Sequence, residues 1–419
     1  MMAANSAKMS LLGLLKTAPY KLPSSSPGII RVSQFVEEEC APHYNPRYFY
    51  PMQLYTVLAS RYQVATKLGW GVSSTVWLAK DLQQWRWLPP RFVAIKVNAN
   101  NYASTECTEK ELRITEHISR VNTNHEGRYF IRTLLDSFDL EGPHGKHSCM
   151  VFDVLYEPLW MLQKRFIGGV LPLDVLKPIT QMVIMGLDYL HTQSHIIHTD
   201  LKSDNILMAL GDQSILQRVV KDEADHPLPQ KNTEDRTIYL SRNNFGFDVD
   251  QLGRPVITDF GLSVYRDKAP HTHTIQPNSF RAPEVVLGAE WNYSVDIWNL
   301  GSLILELLCG TGPFDQDTSS PGSSFSEERH LAAIISLIGH PPRDILKRGT
   351  RSSRYFDEDG QFKNPSLIPA QRGLNSLLDT IEGAEKQKFL DFISRTLQWR
   401  PEERGTAKEL LSDPWLQIQ

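Results

Sequence analysis

No apolar run in this chain reaches the roughly 18 residues that a membrane-spanning helix needs. The most apolar stretch, residues 297–309, is interrupted by Asn299 and Glu306 and reads as a buried core helix. Cysteine is scarce: only Cys40, Cys107, Cys149 and Cys309 occur. None lies in a C-x-x-C pair or beside a histidine at metal-ligand spacing, so the expectation is four reduced, mostly buried thiols. A large charge excess is also missing. The net value of −4 makes a basic nucleic-acid binder the wrong starting point. No internal repeat is visible. The first 30 residues carry Lys8, Lys16 and Lys21 but no acid and no arginine. Transit peptides are usually arginine-rich, so residues 1–45, rich in Ser, Pro and small residues, are expected to form a disordered tail.

What is present is an ordinary globular composition on a chain of 419 residues, enough for two lobes plus tails. Residues 46–61 read as an extension leading into the fold. Arg61-Tyr62-Gln63-Val64-Ala65-Thr66-Lys67-Leu68 alternates like a strand, residues 74–80 give a second strand, and Val93-Ala94-Ile95-Lys96-Val97 a third. Residues 104–120 place Leu112, Ile114 and Ile118 among charges and read as a helix. Ser148-Cys149-Met150-Val151-Phe152 is a further strand. Beyond about residue 158 the periodicity becomes helical, over 173–191, 296–308, 389–399 and 406–411. Residues 211–250, polar with Pro227 and Pro229, and the Ser-rich acidic stretch 315–328 read as surface loops or disorder.

Four groups of residues carry chemistry. Between the first two strands lies Leu68-Gly69-Trp70-Gly71-Val72-Ser73-Ser74-Thr75-Val76. Bare backbone N–H groups at Gly69 and Gly71 suit a loop that covers phosphates, although a third glycine is replaced by Ser74. Lys96, about 25 residues on, can reach the α- and β-phosphates of a nucleotide. Glu111 is its natural partner, and Glu109 is the alternative. The string His198-Thr199-Asp200-Leu201-Lys202-Ser203-Asp204-Asn205 is the most specific signal. Asp200 can accept a proton from a substrate hydroxyl, Lys202 can neutralise the phosphoryl group in transfer, and Asn205 offers an amide oxygen to Mg²⁺. Asp259-Phe260-Gly261 supplies a second Mg²⁺ ligand in Asp259. Ala282-Pro283-Glu284 follows at activation-segment spacing, and an ion pair between Glu284 and Arg404 would anchor that segment.

In this order the motifs resemble a eukaryotic protein kinase and, more narrowly, the serine/arginine-rich-protein kinase family. The resemblance covers about residues 48–417. It rests on Phe49-Tyr50-Pro51 with Arg61-Tyr62, Lys67-Leu68-Gly69-Trp70-Gly71, Ser74-Thr75-Val76-Trp77-Leu78, Cys149-Met150-Val151-Phe152, the His-Thr-Asp form of the catalytic loop, Ile275-Gln276 and residues 330–339. It implies an α+β, bilobal protein-kinase fold with a kinase domain over 62–417. The β-rich N-lobe, with one major helix, would span 62–155. The mainly helical C-lobe would span 156–417, with a spacer-like insertion at about 211–250. It implies a monomeric serine/threonine kinase using ATP and Mg²⁺ on Arg/Ser-rich, splicing-type proteins in cytoplasm and nucleus, with no direct nucleic-acid or membrane partner. It further implies Phe152 at the back of an adenine pocket, with Asp153 and Leu155 offering backbone hydrogen bonds.

Two departures bear on activity. Thr199 stands where most protein kinases have an arginine that pairs with a phosphorylated activation loop, so independence of that phosphate is expected. Pro277 replaces a threonine that usually bonds the catalytic Asp and Lys. With the missing glycine, it is the support for an alternative, a catalytically weak pseudokinase scaffold. Intact Lys96, Asp200, Asn205 and Asp259 argue against that alternative. A small-molecule phosphotransferase is disfavoured by the A-P-E segment. An Arg-rich substrate would also call for acidic docking residues, with Asp315, Asp317, Glu327 and Glu328 as candidates.

Overall fold

The computed structural model describes residues 15–21, 25–100, 105–122, 124–246, 252–268, 270–316, 324–370, 373–378 and 381–417, with backbone only at 105–108. Parts of the expected tail and insertions, Asp317 and the Cys107 side chain lie outside the described residues. In chain order the strands are β1 (Val57–Leu58), β2 (Tyr62–Gly71), β3 (Ser74–Asp81), β4 (Phe92–Asn98), β5 (Leu134–Gly142), β6 (Gly145–Phe152), β7 (Leu155–Pro158), β8 (Ile196–Ile197), β9 (Ile206–Leu210), β10 (Gln230–Asn232), β11 (Thr237–Tyr239), β12 (Leu252–Ile257) and β13 (Val264–Tyr265). The helices are α1 (Thr105–Arg120), α2 (Leu159–Gln163), α3 (Leu173–Asp188), α4 (Ser214–Asp225), α5 (Pro283–Leu287), α6 (Ser294–Cys309), α7 (Glu327–Ile338), α8 (Arg343–Arg348), α9 (Ser352–Tyr355), α10 (Gly383–Ser394) and α11 (Ala407–Leu410).

The chain divides into two compact units. The first comprises residues 1–112, 133–156 and 209–253. Its frame is a six-stranded antiparallel sheet in the order β1-β2-β3-β4-β6-β5. Alternation sends Tyr62 and Val64, Trp77 and Ala79, Val93, Ile95 and Val97, and Cys149 and Val151 to one buried face. β2 and β3 form a hairpin whose ends pair Gly71 with Ser74, and the ladder shifts register between Lys67 and Gly69. Such a bulge re-aims the strand that carries it.

Two segments of this unit differ from the sequence reading. Within 211–250, α4 buries Ile215, Leu216, Val219 and Val220 and packs on β2, and β10 pairs with β11 as a hairpin. The apolar stripe is only four residues wide, and the charges around it mask its helical spacing. In the tail, Ile29 bridges to Gln230 and residues 37–40 form a 3₁₀ turn. Its acids meet cations that lie far along the chain.

The second unit comprises residues 113–132, 157–208 and 254–419. Its centre is α6, where 13 of 16 residues are buried, Asp296 and Asn299 among them. α3 packs along α6 and ends in a π turn at residues 189–193. β8 and β13 pair antiparallel, Ile197 with Val264 and Ile196 with Tyr265. They hold together the start of the catalytic-loop string and the segment after Asp259-Phe260-Gly261. Among the described residues no helix is long and apolar enough to cross a membrane.

Candidate active site

In the first unit, the loop of residues 68–76 is the β2–β3 hairpin itself. Its tip is exposed at Trp70 and Val72 and buried at Ser74 and Thr75. An added Cβ at Gly69 would meet no atom within 4 Å, so the fold there does not require glycine. Lys96 sits on β4 opposite Val76, and its Nζ lies 2.6 Å from Glu111 Oε1 on α1. Of the two carboxylates left open by the sequence, Glu111 is the one that makes this bridge. Phe152 ends β6 in the core, Asp153 is exposed, and Leu155 opens β7.

In the second unit, the string 198–205 is a closely tied loop. Asn205 Nδ2 donates to Asp200 Oδ2 at 2.8 Å and to the Asp200 carbonyl at 2.9 Å. Lys202 Nζ stands 3.2 Å from the same Asp200 oxygen. Because its NH₂ is spent on Asp200, the Asn205 amide oxygen is turned the other way, toward a role as acceptor or cation ligand. Thr258 binds the Asn205 carbonyl through its N–H (2.8 Å) and hydroxyl (3.1 Å). That fixes Asp259, the next residue, beside Asn205 in the chain's path. Asp259 adopts φ +62°, a costly conformation for a non-glycine residue, of the kind that clusters at functional sites. Among the described residues no group of three or more His, Cys, Asp or Glu makes a metal cage. One amide oxygen and one carboxylate fit Mg²⁺, which keeps several waters and substrate oxygens.

His198 accepts from Asp200 N at its Nδ1 (3.2 Å), so its Nε2 carries the proton and donates to the Thr258 carbonyl (3.0 Å). Thr199, at φ +69°, donates its hydroxyl to the Leu262 carbonyl at 2.9 Å, and Ser263 Oγ donates to the His198 carbonyl at 3.1 Å. These neutral bonds tether the activation segment where an arginine–phosphate pair is absent.

Several supports were not read from the sequence. Asp296, buried at the start of α6, accepts from His198 N (2.8 Å), Thr199 N (2.9 Å) and His191 Nε2 (2.8 Å). Asn299 Nδ2 donates to the Leu201 carbonyl at 3.0 Å. The available signal was a pair of polar residues inside an otherwise apolar helix, since buried polar groups need partners. Gln276, at φ +70°, donates to the Val295 carbonyl and Asn299 Oδ1 and accepts from Ala282 N, pinning the activation segment. Pro277 opens the turn Asn278–Phe280 and accepts from Phe280 N at 3.0 Å. Nothing in the structure explains its replacement of a hydroxyl-bearing residue. Glu284 and Arg404 form the expected pair, two bonds of 2.7 Å with both side chains fully buried.

The acidic docking candidates fare unevenly. Glu327 is committed internally, to Arg281 and Arg351 at 3.4 Å each and to the Tyr355 hydroxyl. Asp315 accepts from Gly312 N at 2.7 Å. Glu328 is half-buried at the start of α7.

Glu306 of α6 lies under the catalytic loop, with Oε1 accepting from Ser203 Oγ at 3.1 Å. Its Oε2 is buried and has no hydrogen-bond partner among the described residues. Burial foremost, then the nearby Asp315 and Asp204, pushes its carboxyl up from 4.5 to about 7, against the Ser203 hydroxyl. A raised acid pKa favours the folded state below the unfolded value and loses that benefit as pH rises through the folded one. Stability is therefore expected to fall between about pH 4.5 and 7 by on the order of 3 kcal/mol, at 1.36 kcal/mol per pKa unit. In Glu306→Gln that slope flattens, and urea titrations of both proteins across the window check it. An unchanged slope would assign the pH dependence to other groups.

The fold defines a protein kinase domain. The family model for the protein kinase domain matches residues 62–221 and 242–416. A solved crystal structure of a kinase domain superposes with a TM-score of 0.66 at 21% identity, covering 89% of this chain and 100% of that one. A serine/threonine protein kinase of Aspergillus fumigatus is 36% identical over 387 residues, 92% of this chain and 91% of that protein. The serine/threonine-protein kinase SRPK of Physarum polycephalum is 32% identical over 399 residues, 91% of each. Protein kinase dsk1 of Schizosaccharomyces pombe is 29% identical over 85% of this chain and 80% of that protein. The chain belongs to the protein kinase family, in its serine/arginine-rich-protein kinase branch. It is a serine/threonine protein phosphotransferase, and membership implies protein substrates and the use of ATP and Mg²⁺.

Proposed function

We propose that this kinase transfers the γ-phosphate of ATP to serine in Arg/Ser-rich proteins, with Asp200 as the base. The observation that carries the chemistry is the triple contact of Asp200, Lys202 and Asn205. Asp200 accepts the serine proton as its oxygen attacks, and Lys202 offsets charge on the phosphoryl group in transfer. Asn205 and Asp259 would hold Mg²⁺, which would supply charge neutralisation for the phosphates. In the first unit, residues 68–76 and Lys96 orient the phosphates, with Glu111 keeping Lys96 extended. Phe152, Asp153 and Leu155 serve the adenine. Glu284 and Arg404 hold the segment that receives the peptide. The domain reading that goes with this is a kinase domain over 62–417, with its spacer-like insertion at about 211–250, working as a monomer in cytoplasm and nucleus.

The Arg/Ser preference rests on the branch: relatives include proteins named SRSF protein kinase 3. An Arg-Ser repeat peptide is expected to be phosphorylated on serine with a kcat/KM at least about tenfold above an acidic serine peptide, a margin of about 1.4 kcal/mol in transition-state binding. Equal rates, or preference for the acidic peptide, would remove the substrate assignment. Because the Thr199 hydroxyl already tethers the Leu262 carbonyl, phosphatase treatment is expected to leave peptide kinase activity within about twofold, less than 0.5 kcal/mol. A large loss would show that the activation segment needs a phosphate.

A further inference from the structure

We infer that Glu37 and Glu38, in the segment ahead of the kinase domain, are positioning residues for the glycine loop and thereby set affinity for ATP. The inference rests on the reading that residues 68–76 cover the nucleotide.

Lys67 is the last residue before Leu68-Gly69-Trp70-Gly71, and its side chain is fully buried on β2. A buried ammonium needs paired, hydrogen-bonded surroundings. Here they come from outside the sheet. Lys67 Nζ bonds Glu38, stands 3.3 Å from Glu37 Oε2 and donates to the Tyr239 carbonyl at 3.2 Å. The Lys67 carbonyl accepts from Arg242 N at 2.8 Å. The carboxylates are fixed in turn. Glu37 accepts from Ser241 N at 2.9 Å and Ser241 Oγ at 2.5 Å. Glu39, one residue on, binds Lys231 on β10 at 2.8 and 2.9 Å and accepts from Val36 N at 3.0 Å. The segment is therefore a clasp with two jaws. Glu37 and Glu38 grip the glycine-loop strand, whereas Glu39 grips β10.

The point of grip matters because the β2–β3 register shifts immediately after it, between Lys67 and Gly69. The direction in which the loop leaves the strand is set at that bulge. Releasing the Lys67 ammonium frees the residue that anchors the bulge and the Gly69–Gly71 backbone beyond it. No residue of the clasp belongs to the set that performs the transfer, so its effect should appear in nucleotide binding rather than in the chemical step.

The test uses the full chain with single substitutions in each jaw. Glu38→Gln is expected to raise KM for ATP about tenfold while kcat at saturating ATP stays within twofold, and to shift the Trp70 resonance in ¹⁹F NMR of 5-fluorotryptophan protein. Glu39→Gln is expected to lower the unfolding temperature but leave KM and the Trp70 signal in place. If the two variants lose stability alike and neither moves KM, or if activity falls only through kcat, the clasp is purely structural and the inference is overturned. Gly69→Ala separates this from the loop assignment, because the fold has room for the added Cβ. A rise in KM for Gly69→Ala without one for Glu38→Gln overturns the clasp alone. No rise for Gly69→Ala removes the loop reading on which it rests.

Discussion

Asp200→Asn is expected to lower kcat by about 10²–10⁴-fold, the range for losing a general base. Asparagine matches aspartate in shape, so the change removes the proton acceptor and the charge with little change in packing. The surrounding geometry explains why no neighbour substitutes. Asn205 donates to Asp200 and is no base, Lys202 carries a positive charge, and His198 already uses both ring nitrogens, one on Asp200 N and one on the Thr258 carbonyl. Because the residues proposed to orient the phosphates are others, residues 68–76 and Lys96, KM for ATP should change by less than about threefold, under 0.7 kcal/mol. Steady-state kinetics with ATP and peptide varied separately provide the check. A raised KM at unchanged kcat would make Asp200 a binding residue instead.

Glu284→Ala is expected to destabilise the protein by about 3–5 kcal/mol, the usual cost of leaving one member of a buried ion pair without its partner. Both side chains are fully buried. Arg404 also donates to the Gln398 and Ser294 carbonyls, so it cannot swing to solvent without abandoning those as well. The stranded guanidinium, not the lost attraction alone, makes the effect large. Removing both charges together, as Glu284→Met with Arg404→Leu, should therefore cost less than Glu284→Ala by itself. Guanidinium-chloride unfolding of Glu284→Met, Arg404→Leu and the double variant, beside Glu284→Ala, checks this. Additive losses in the double variant would mean that packing, and not the buried charge, dominates.

The sequence made the catalytic loop readable because its spacing is its geometry. Asn205 stands five residues after Asp200 and bonds back to it within the same turn. Strand β2 was legible from alternation, β3, β4 and β6 from short β or apolar runs, and a Lys96 partner at Glu111 or Glu109 from a helix following a strand-borne lysine. Features made by long-range pairing were not. Asp296 meets His198 across 98 residues, and Glu39 meets Lys231 across 192. No local periodicity encodes either. The tail looked mobile because residues 1–45 are rich in Ser, Pro and small residues, and composition does not show that Glu37, Glu38 and Glu39 have partners. Its cations come from β2 and β10. α4 was hidden for a related reason, since its four apolar residues make a face only once β2 is there to receive them. Glu327 misled in the opposite direction: an acid beside a Ser-rich loop suggested docking, yet Arg281, Arg351 and Tyr355 consume it.

The central claim is that this chain moves phosphate from ATP to serine through Asp200. It is tested most directly by incubating the purified full chain with γ-labelled ATP, Mg²⁺ and an Arg-Ser repeat peptide, beside an Asp200→Ala control of equal fold and ATP affinity. The account predicts label on peptide serine in the first reaction and almost none in the second. ATP binding without label transfer, or equal transfer by the Asp200→Ala protein, would contradict it.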